Sequence, residues 1–299
     1  MKIPPYLQKG DTVAIVATAR KIDLETLQPS IALLEEWGLT VIIGNTIGRD
    51  NNNQLAGTDE ERASDFQTMI DNPTIKAVWC AKGGYGTVRM VELVDFTPFK
   101  KNPKWIIGFS DVTVLHSHIN AMGIATLHAI MCSTMPSSTP KAIASLKGAL
   151  FGKKMSYSIA PHPFNKQGKT NGVLVGGNLS VLYSIIGSRS EINYTNKILF
   201  VEDLDEYLYH IDRMLMNVKR NGYFNNVKGI IIGGMTDMND NAIPWGHDAL
   251  EIIRDITKEY NIPMCFNFPA GHLPDNRTLI LGHKITLDVT TKGTTVIFE

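Results

Sequence analysis

Lys104-Trp-Ile-Ile107-Gly108-Phe109-Ser110-Asp111-Val112-Thr-Val-Leu-His-Ser-His-Ile119 is the stretch on which the fold turns. Its first four residues form a short apolar run that reads as a buried strand. Behind Ser110, the apolar positions 112, 115 and 119 recur at helical spacing. A serine between them sits on a sharp strand-to-helix turn, its hydroxyl exposed and backbone N–H groups beside it. That is the geometry of a nucleophile elbow, which aims an attacking oxygen while fixed amides receive the developing oxyanion. Val112 stands where the usual G-x-S-x-G pattern has its last glycine, so a base and its orienter must come from elsewhere in the chain.

Outward from the turn, strand and helix alternate. Thr12-Val-Ala-Ile-Val-Ala17 and Leu39-Thr-Val-Ile-Ile43 read as strands, with a helical pattern over residues 24–37 stopped by Gly38. Thr58-Asp-Glu-Glu61 has capping-box spacing ahead of an amphipathic stretch. Ile75-Lys-Ala-Val-Trp-Cys80 and Gly123-Ile-Ala-Thr-Leu-His128 supply further strands. Such alternation predicts an α/β fold with a parallel sheet covered on both faces, and ligands bind beyond the carboxyl ends of such strands. Prolines, serines and glycines thicken between Met135 and Gly172. The expected division is an N-terminal domain over 1–140, a linker over 141–170 and a second α/β domain over 171–299. The last three apolar runs, near 278–282, 284–289 and 294–298, are expected to close as a small antiparallel unit.

Composition narrows the function classes. With 29 basic and 29 acidic residues among 299, the formal net charge is zero. No basic stripe recurs, which argues against a nucleic-acid or membrane-surface partner. No apolar run approaches the roughly 20 residues of a membrane span, and no secretory signal is visible. Cys80, Cys132 and Cys265 are widely spaced within or beside apolar stretches and form no metal-ligand pattern. The expectation is a cytoplasmic protein with buried free thiols and no metal.

Three more segments carry possible chemistry. Lys82-Gly83-Gly84-Tyr85-Gly86 follows a strand. Its glycines permit close backbone approach to a ligand, with amides facing an anion or oxyanion, or they simply make a tight turn. It lacks the endings of a phosphate loop. Phe200-Val-Glu202-Asp203-Leu-Asp-Glu206 puts carboxylates at a strand end, and Glu202, directly after the apolar run, is the least solvent-like. Pro269-Ala-Gly271-His272 places a histidine in a loop after an apolar run, whereas His116 and His118 lie awkwardly on the helix behind Ser110. Ser110, Glu202 and His272 thus offer nucleophile, orienter and base from three strand-end loops. Asn178 either contacts substrate or caps the helix beginning near Leu179. Tyr85 is a candidate for shaping the pocket.

Several of these segments recur together in one known family. Leu55-Ala-Gly-Thr-Asp-Glu-Glu-Arg62, Lys82-Gly-Gly-Tyr-Gly86, Gly108-Phe-Ser-Asp-Val-Thr113, Gly176-Gly-Asn-Leu179, Val201-Glu-Asp203, Ile211-Asp-Arg-Met-Leu215 and Gly271-His272 resemble the LD-carboxypeptidase family of serine peptidases, which includes the microcin-immunity peptidases. The resemblance implies a flavodoxin-like N-terminal domain and a smaller C-terminal α/β domain, with the site between them. It implies Ser110 as nucleophile, His272 as base, Glu202 as its partner, no cofactor, and a homodimer. The amides of Asp111 and Gly84 are the expected oxyanion donors, with Gly83, Tyr85 and Asn178 at the substrate. The implied reaction releases a terminal D-amino acid from an L-centre, as in murein tetrapeptide. The alternatives are an immunity-type peptidase acting on a peptidyl or aminoacyl nucleotide, and a non-catalytic peptide-binding protein. Three positions depart from the common pattern: Lys82 stands where Arg is typical, Leu208-Tyr209-His210 where Pro-Tyr-Arg is common, and Ala17-Thr-Ala-Arg20 where Ala-Pro-Ser is common.

Overall fold

The fold was examined in a computed structural model that describes residues 1–49 and 54–299. In chain order the first half runs β1 (Thr12–Val16), α1 (Leu24–Glu36), β2 (Thr40–Ile43), α2 (Asp59–Asp71) and β3 (Ile75–Cys80). It continues through α3 (Thr87–Met90), α4 (Thr97–Lys101), β4 (Trp105–Gly108), α5 (Thr113–Ala121) and β5 (Thr126–His128). Then follow α6 (Pro140–Leu150), β6 (Ser156–Ile159), β7 (Gly168–Asn178), α7 (Leu179–Ser184), β8 (Lys197–Leu204), α8 (Leu208–Arg220) and β9 (Gly229–Thr236). The chain ends with α9 (Ala249–Thr257), β10 (Met264–Cys265), β11 (Leu279–Leu281), β12 (Lys284–Thr290) and β13 (Gly293–Phe298).

Among the described residues these strands make two sheets, ordered β11-β5-β4-β3-β1-β2 and β10-β9-β8-β7-β12-β13-β6. The five strands from β2 to β5 pair in parallel with order 2-1-3-4-5, the flavodoxin-like arrangement. The apolar runs of β1, β3 and β4 are buried on both sides, as the interior of a parallel sheet requires. In the second sheet β7 to β10 are parallel, while β12, β13 and β6 are added antiparallel. Residues 141–170 hold most of α6 and the edge strand β6.

The C-terminal runs do not close as one unit. Residues 279–281 leave the second sheet and pair antiparallel with β5 of the first, while β12 and β13 form a hairpin in the second. The cause lies at Gly282, whose φ of +89° bends the chain, and whose missing Cβ would stand 2.9 Å from the Ala125 Cα. An L-residue there would meet both the wrong backbone region and the neighbouring strand. β11 therefore straps the two halves together.

Thr58 and Glu61 form the anticipated capping box at the start of α2. α5 is the element that joins the sheets. Its Leu115 and Ile119 share one core with Val175, Leu179 and Val201 of the second sheet's side. Thr113 Oγ1 accepts the Asn178 N–H at 3.0 Å, and a Cβ on Gly177 would lie 2.5 Å from that hydroxyl. The three cysteines are buried free thiols. No helix among the described residues is long and apolar enough to cross a membrane.

His116 on α5 is completely buried, with Nε2 2.9 Å from the Gly108 carbonyl. Burial pushes its pKa from the ordinary 6.5 down to about 4. The unfolded chain therefore binds a proton that the folded chain refuses. The contribution of neutral His116 is complete above 6.5 and is lost as the pH falls towards 4. Between pH 7 and pH 5 the loss is about 2 kcal/mol. Urea unfolding at both pH values should show a steeper loss for the wild type than for His116→Gln; equal losses would mean that folded His116 takes up the proton.

Candidate active site

Ser110 follows β4 at φ +61°, the left-handed region, and opens a single 3₁₀ turn (Ser110–Val112) that leads into α5. A non-glycine residue held there costs on the order of 1–3 kcal/mol, strain that persists where surrounding contacts over-determine it. Those contacts are visible. The buried Asp111 carboxylate accepts the Thr87 N–H at 2.9 Å, tying the serine turn to the glycine-rich turn beside it. Burial pushes the Asp111 pKa up, against the hydrogen bonds it receives. Gly83 packs onto the serine, since a Cβ there would lie 3.2 Å from Ser110 Cβ and 3.4 Å from Ser110 Oγ.

The glycine-rich turn has its own anchor. Arg62 of α2 is 1% exposed, and its Nη1 donates to the carbonyls of Thr18 at 2.6 Å and Gly86 at 2.8 Å. Asp59 carries the paired charge, and Arg89 reaches the same carboxylate at 2.8 Å. The motif Leu55–Arg62 does not by itself assign Arg62 a role. A signal for one was present: it lies in register with Phe66, Met69 and Ile70 on the buried face of α2, where a cation needs several partners. Tyr85, at the crest of the turn, is 54% exposed.

The second sheet delivers the other two groups. Glu202, near the C-terminal end of β8, has no exposed surface. Its Oε2 accepts from the His272 backbone N–H at 3.2 Å and pairs with His272 Nδ1 at 2.6 Å. Room for the carboxylate is made by glycines: a Cβ on Gly271 would fall 2.6 Å from Oε2, and one on Gly233 would fall 3.2 Å from the Glu202 Cβ. The loop bearing His272 is fixed by Gly271 N–H donating to Asn276, Gly234 N–H to the Ala270 carbonyl, and Thr236 Oγ1 to the His272 carbonyl. With Nδ1 committed to Glu202, Nε2 is the nitrogen left to accept a proton.

The two halves meet through Phe109, whose ring lies 4.8 Å from the His272 ring. No hydrogen bond joins Ser110 Oγ to His272 among the described residues. Phe109 also edges onto His128, and His128 onto Phe200 of β8, so buried rings link the serine strand to the glutamate strand. Burial holds the His128 pKa well below 6.5. Asn178 is the N-cap of α7: its Oδ1 accepts from Val181 N–H and Ser180 Oγ, and its Nδ2 donates to Asp203 Oδ1 at 2.8 Å. Of the two readings for Asn178, the cap is the one these bonds describe. Burial and the neighbouring Glu202 charge push the Asp203 pKa up to about 7. No group of three His, Cys, Asp or Glu among the described residues is arranged to hold a metal ion.

Residues 13–129 match the N-terminal domain of LD-carboxypeptidase, and residues 171–287 match its C-terminal domain. The chain belongs to the LD-carboxypeptidase family. A probable murein peptide carboxypeptidase of Bacillus subtilis is 35% identical, over 97% of this chain and 92% of that protein. The murein tetrapeptide carboxypeptidase of Pseudomonas aeruginosa is 27% identical, over 92% of each. The crystal structure of a muramoyltetrapeptide carboxypeptidase from Oxalobacter formigenes superposes with a TM-score of 0.87 at 24% identity, over 96% of this chain and 99% of that one. This likeness establishes the shared LD-carboxypeptidase architecture of two α/β domains.

Burial alone would lower the His272 pKa, but the charge and hydrogen bond of Glu202 overcome it and leave the value raised. Glu202→Gln removes the charge and leaves the burial. An NMR titration of the His272 imidazole should therefore give a midpoint above 6.5 in the wild type and a lower one in the variant. An unchanged midpoint would mean that Glu202 does not govern this imidazole.

Proposed function

We propose that this protein is a serine LD-carboxypeptidase. In this reading it hydrolyses the amide between an L-configured centre and a C-terminal D-amino acid, as in D-alanine release from murein tetrapeptide. The observation that carries it is the pairing of a strained, glycine-flanked serine turn with a fully buried Glu202 bonded to His272 across one domain junction. The names of the Bacillus and Pseudomonas relatives support the substrate class.

His272 takes the proton of Ser110 through Nε2 as Oγ attacks the scissile carbonyl, then returns it to the departing amine. Glu202 holds the imidazole with Nδ1 protonated and stabilises the imidazolium. The amides of Asp111 and Gly84 receive the oxyanion, each worth roughly 3 kcal/mol of barrier. An ester between Ser110 and the L-centre carbonyl forms as the D-amino acid leaves, and water activated by His272 hydrolyses it. Gly83 lets the substrate backbone approach the serine, and Tyr85 covers it from the rim.

Incubation with L-Ala-γ-D-Glu-meso-diaminopimelate-D-Ala should release D-alanine, followed by mass spectrometry. Ser110→Ala and His272→Ala should each lower turnover by at least roughly 10³-fold. Wild-type turnover in either variant would remove that residue from the mechanism.

A further inference from the structure

The glycine-rich turn has a cation on each side, and they are not equivalent. Arg62 is buried and spent on carbonyls and Asp59, and Arg89 is held by the same carboxylate. Arg20 is exposed and makes no ion pair with a carboxylate among the described residues. Its side chain lies directly across Gly84: a Cβ there would fall 2.4 Å from Nε and 2.5 Å from Cδ. The position is therefore open only because residue 84 is glycine.

Arg20 is also held in place. Its backbone bridges Leu55, and the neighbouring Lys21 and Ala56 amides donate to Gln54 and Ala19 carbonyls at 3.0 Å. With the Gln54 amide turned so that its oxygen faces the guanidinium, that oxygen lies 3.2 Å from both Nε and Nη2. A guanidinium has five N–H donors, so a neutral acceptor on one edge leaves both the full charge and further donors.

Gly84 is bonded to Gly83, whose own vacant Cβ position abuts Ser110, and consecutive Cα atoms are about 3.8 Å apart. Arg20 and Ser110 thus flank a single dipeptide. In a substrate that loses its last residue, the terminal carboxylate carbon stands three bonds beyond the scissile carbonyl, on the order of 3–4 Å away. That carboxylate would enter a site that already holds the Glu202 carboxylate, so a cation beside it favours its binding.

Building on the carboxypeptidase reading, we infer that Arg20 binds the free α-carboxylate of the departing D-residue and so restricts the enzyme to chain ends. A guanidinium suits this task because it meets a carboxylate with two parallel hydrogen bonds. Lys82, half-buried in the same turn, is the competing cation.

The test compares L-Ala-γ-D-Glu-meso-diaminopimelate-D-Ala with the same peptide ending in D-alaninamide, for wild type, Arg20→Ala, Arg20→Lys and Lys82→Met. Wild type should prefer the free acid by roughly 10- to 100-fold in kcat/KM, from KM, as a lost charged hydrogen bond predicts. In Arg20→Ala kcat/KM on the free acid should fall towards that on the amide, so that the preference is lost, and Arg20→Lys should retain part of it. Equal losses on both peptides, or loss of the preference in Lys82→Met alone, would overturn the assignment to Arg20. Wild type that cleaves neither peptide would instead overturn the carboxypeptidase reading on which it rests.

Discussion

A carboxylate with no exposed surface is expensive unless its charge is met, and Glu202 meets its charge in one place, the imidazole and backbone N–H of His272. Much of the second domain's local design follows from that demand. The loop after β10 must present both His272 groups to one oxygen, so it is pinned to β9 and to Asn276. Gly271 must lack a side chain because the carboxylate occupies the space it would need, and Gly233 because the Ala270 carbonyl and the Phe200 ring do. Glu202 Oε1 has no hydrogen-bond partner among the described residues, so a single oxygen carries the whole interaction. Such a couple holds its geometry by exclusion of water as much as by its own bonds.

The serine side solves a different problem. There the difficult element is a left-handed non-glycine residue between strand and helix, and the solution is electrostatic bracing from behind. Asp111 reaches the start of α3, Arg62 reaches the carbonyl of Gly86, and both charges are buried within one network that includes Asp59. The amides that the turn presents are thereby fixed before any substrate arrives. Preorganised donors of that kind need no rearrangement as charge develops, which is why they lower a barrier more than mobile ones.

The strand-to-helix turn at Ser110, the capping box at Thr58 and the parallel pairing of the first sheet were legible because each rests on local rules. Hydrophobic period, cap chemistry and alternation need few distant residues to read. The departure of residues 279–281 to the first sheet was not legible. Its apolar run would suit either sheet, and the choice depends on how closely Gly282 approaches Ala125, a contact between residues far apart in sequence. β6 was hidden for a related reason: four residues of weak alternation gain strand character only from pairing with β13. Among the candidate site residues, Ser110, Glu202 and His272 are picked out by standing at the ends of apolar runs. Arg20 and Arg62 do not, because a cation's role is set by which partners it has, and those partners come from other elements.

The two halves share their apolar cores and the β11 strap, yet the serine turn and the imidazole are each braced by their own sheet. The serine turn is held by groups of the first domain and the imidazole by groups of the second, and the Phe109 ring, buried His128 and the Thr113–Asn178 bond lie among the packed residues between them. A rigid bond between Oγ and Nε2 is not required to define the site, because each partner is already oriented by its own sheet. What the junction must supply is a fixed distance, and apolar packing does this well: interiors are dense and resist compression. Neutral histidines at 116 and 128 belong to that packing. Burial holds the pKa of both down, whereas Glu202 raises that of His272. His272 is distinguished from these two buried imidazoles by a single neighbouring carboxylate.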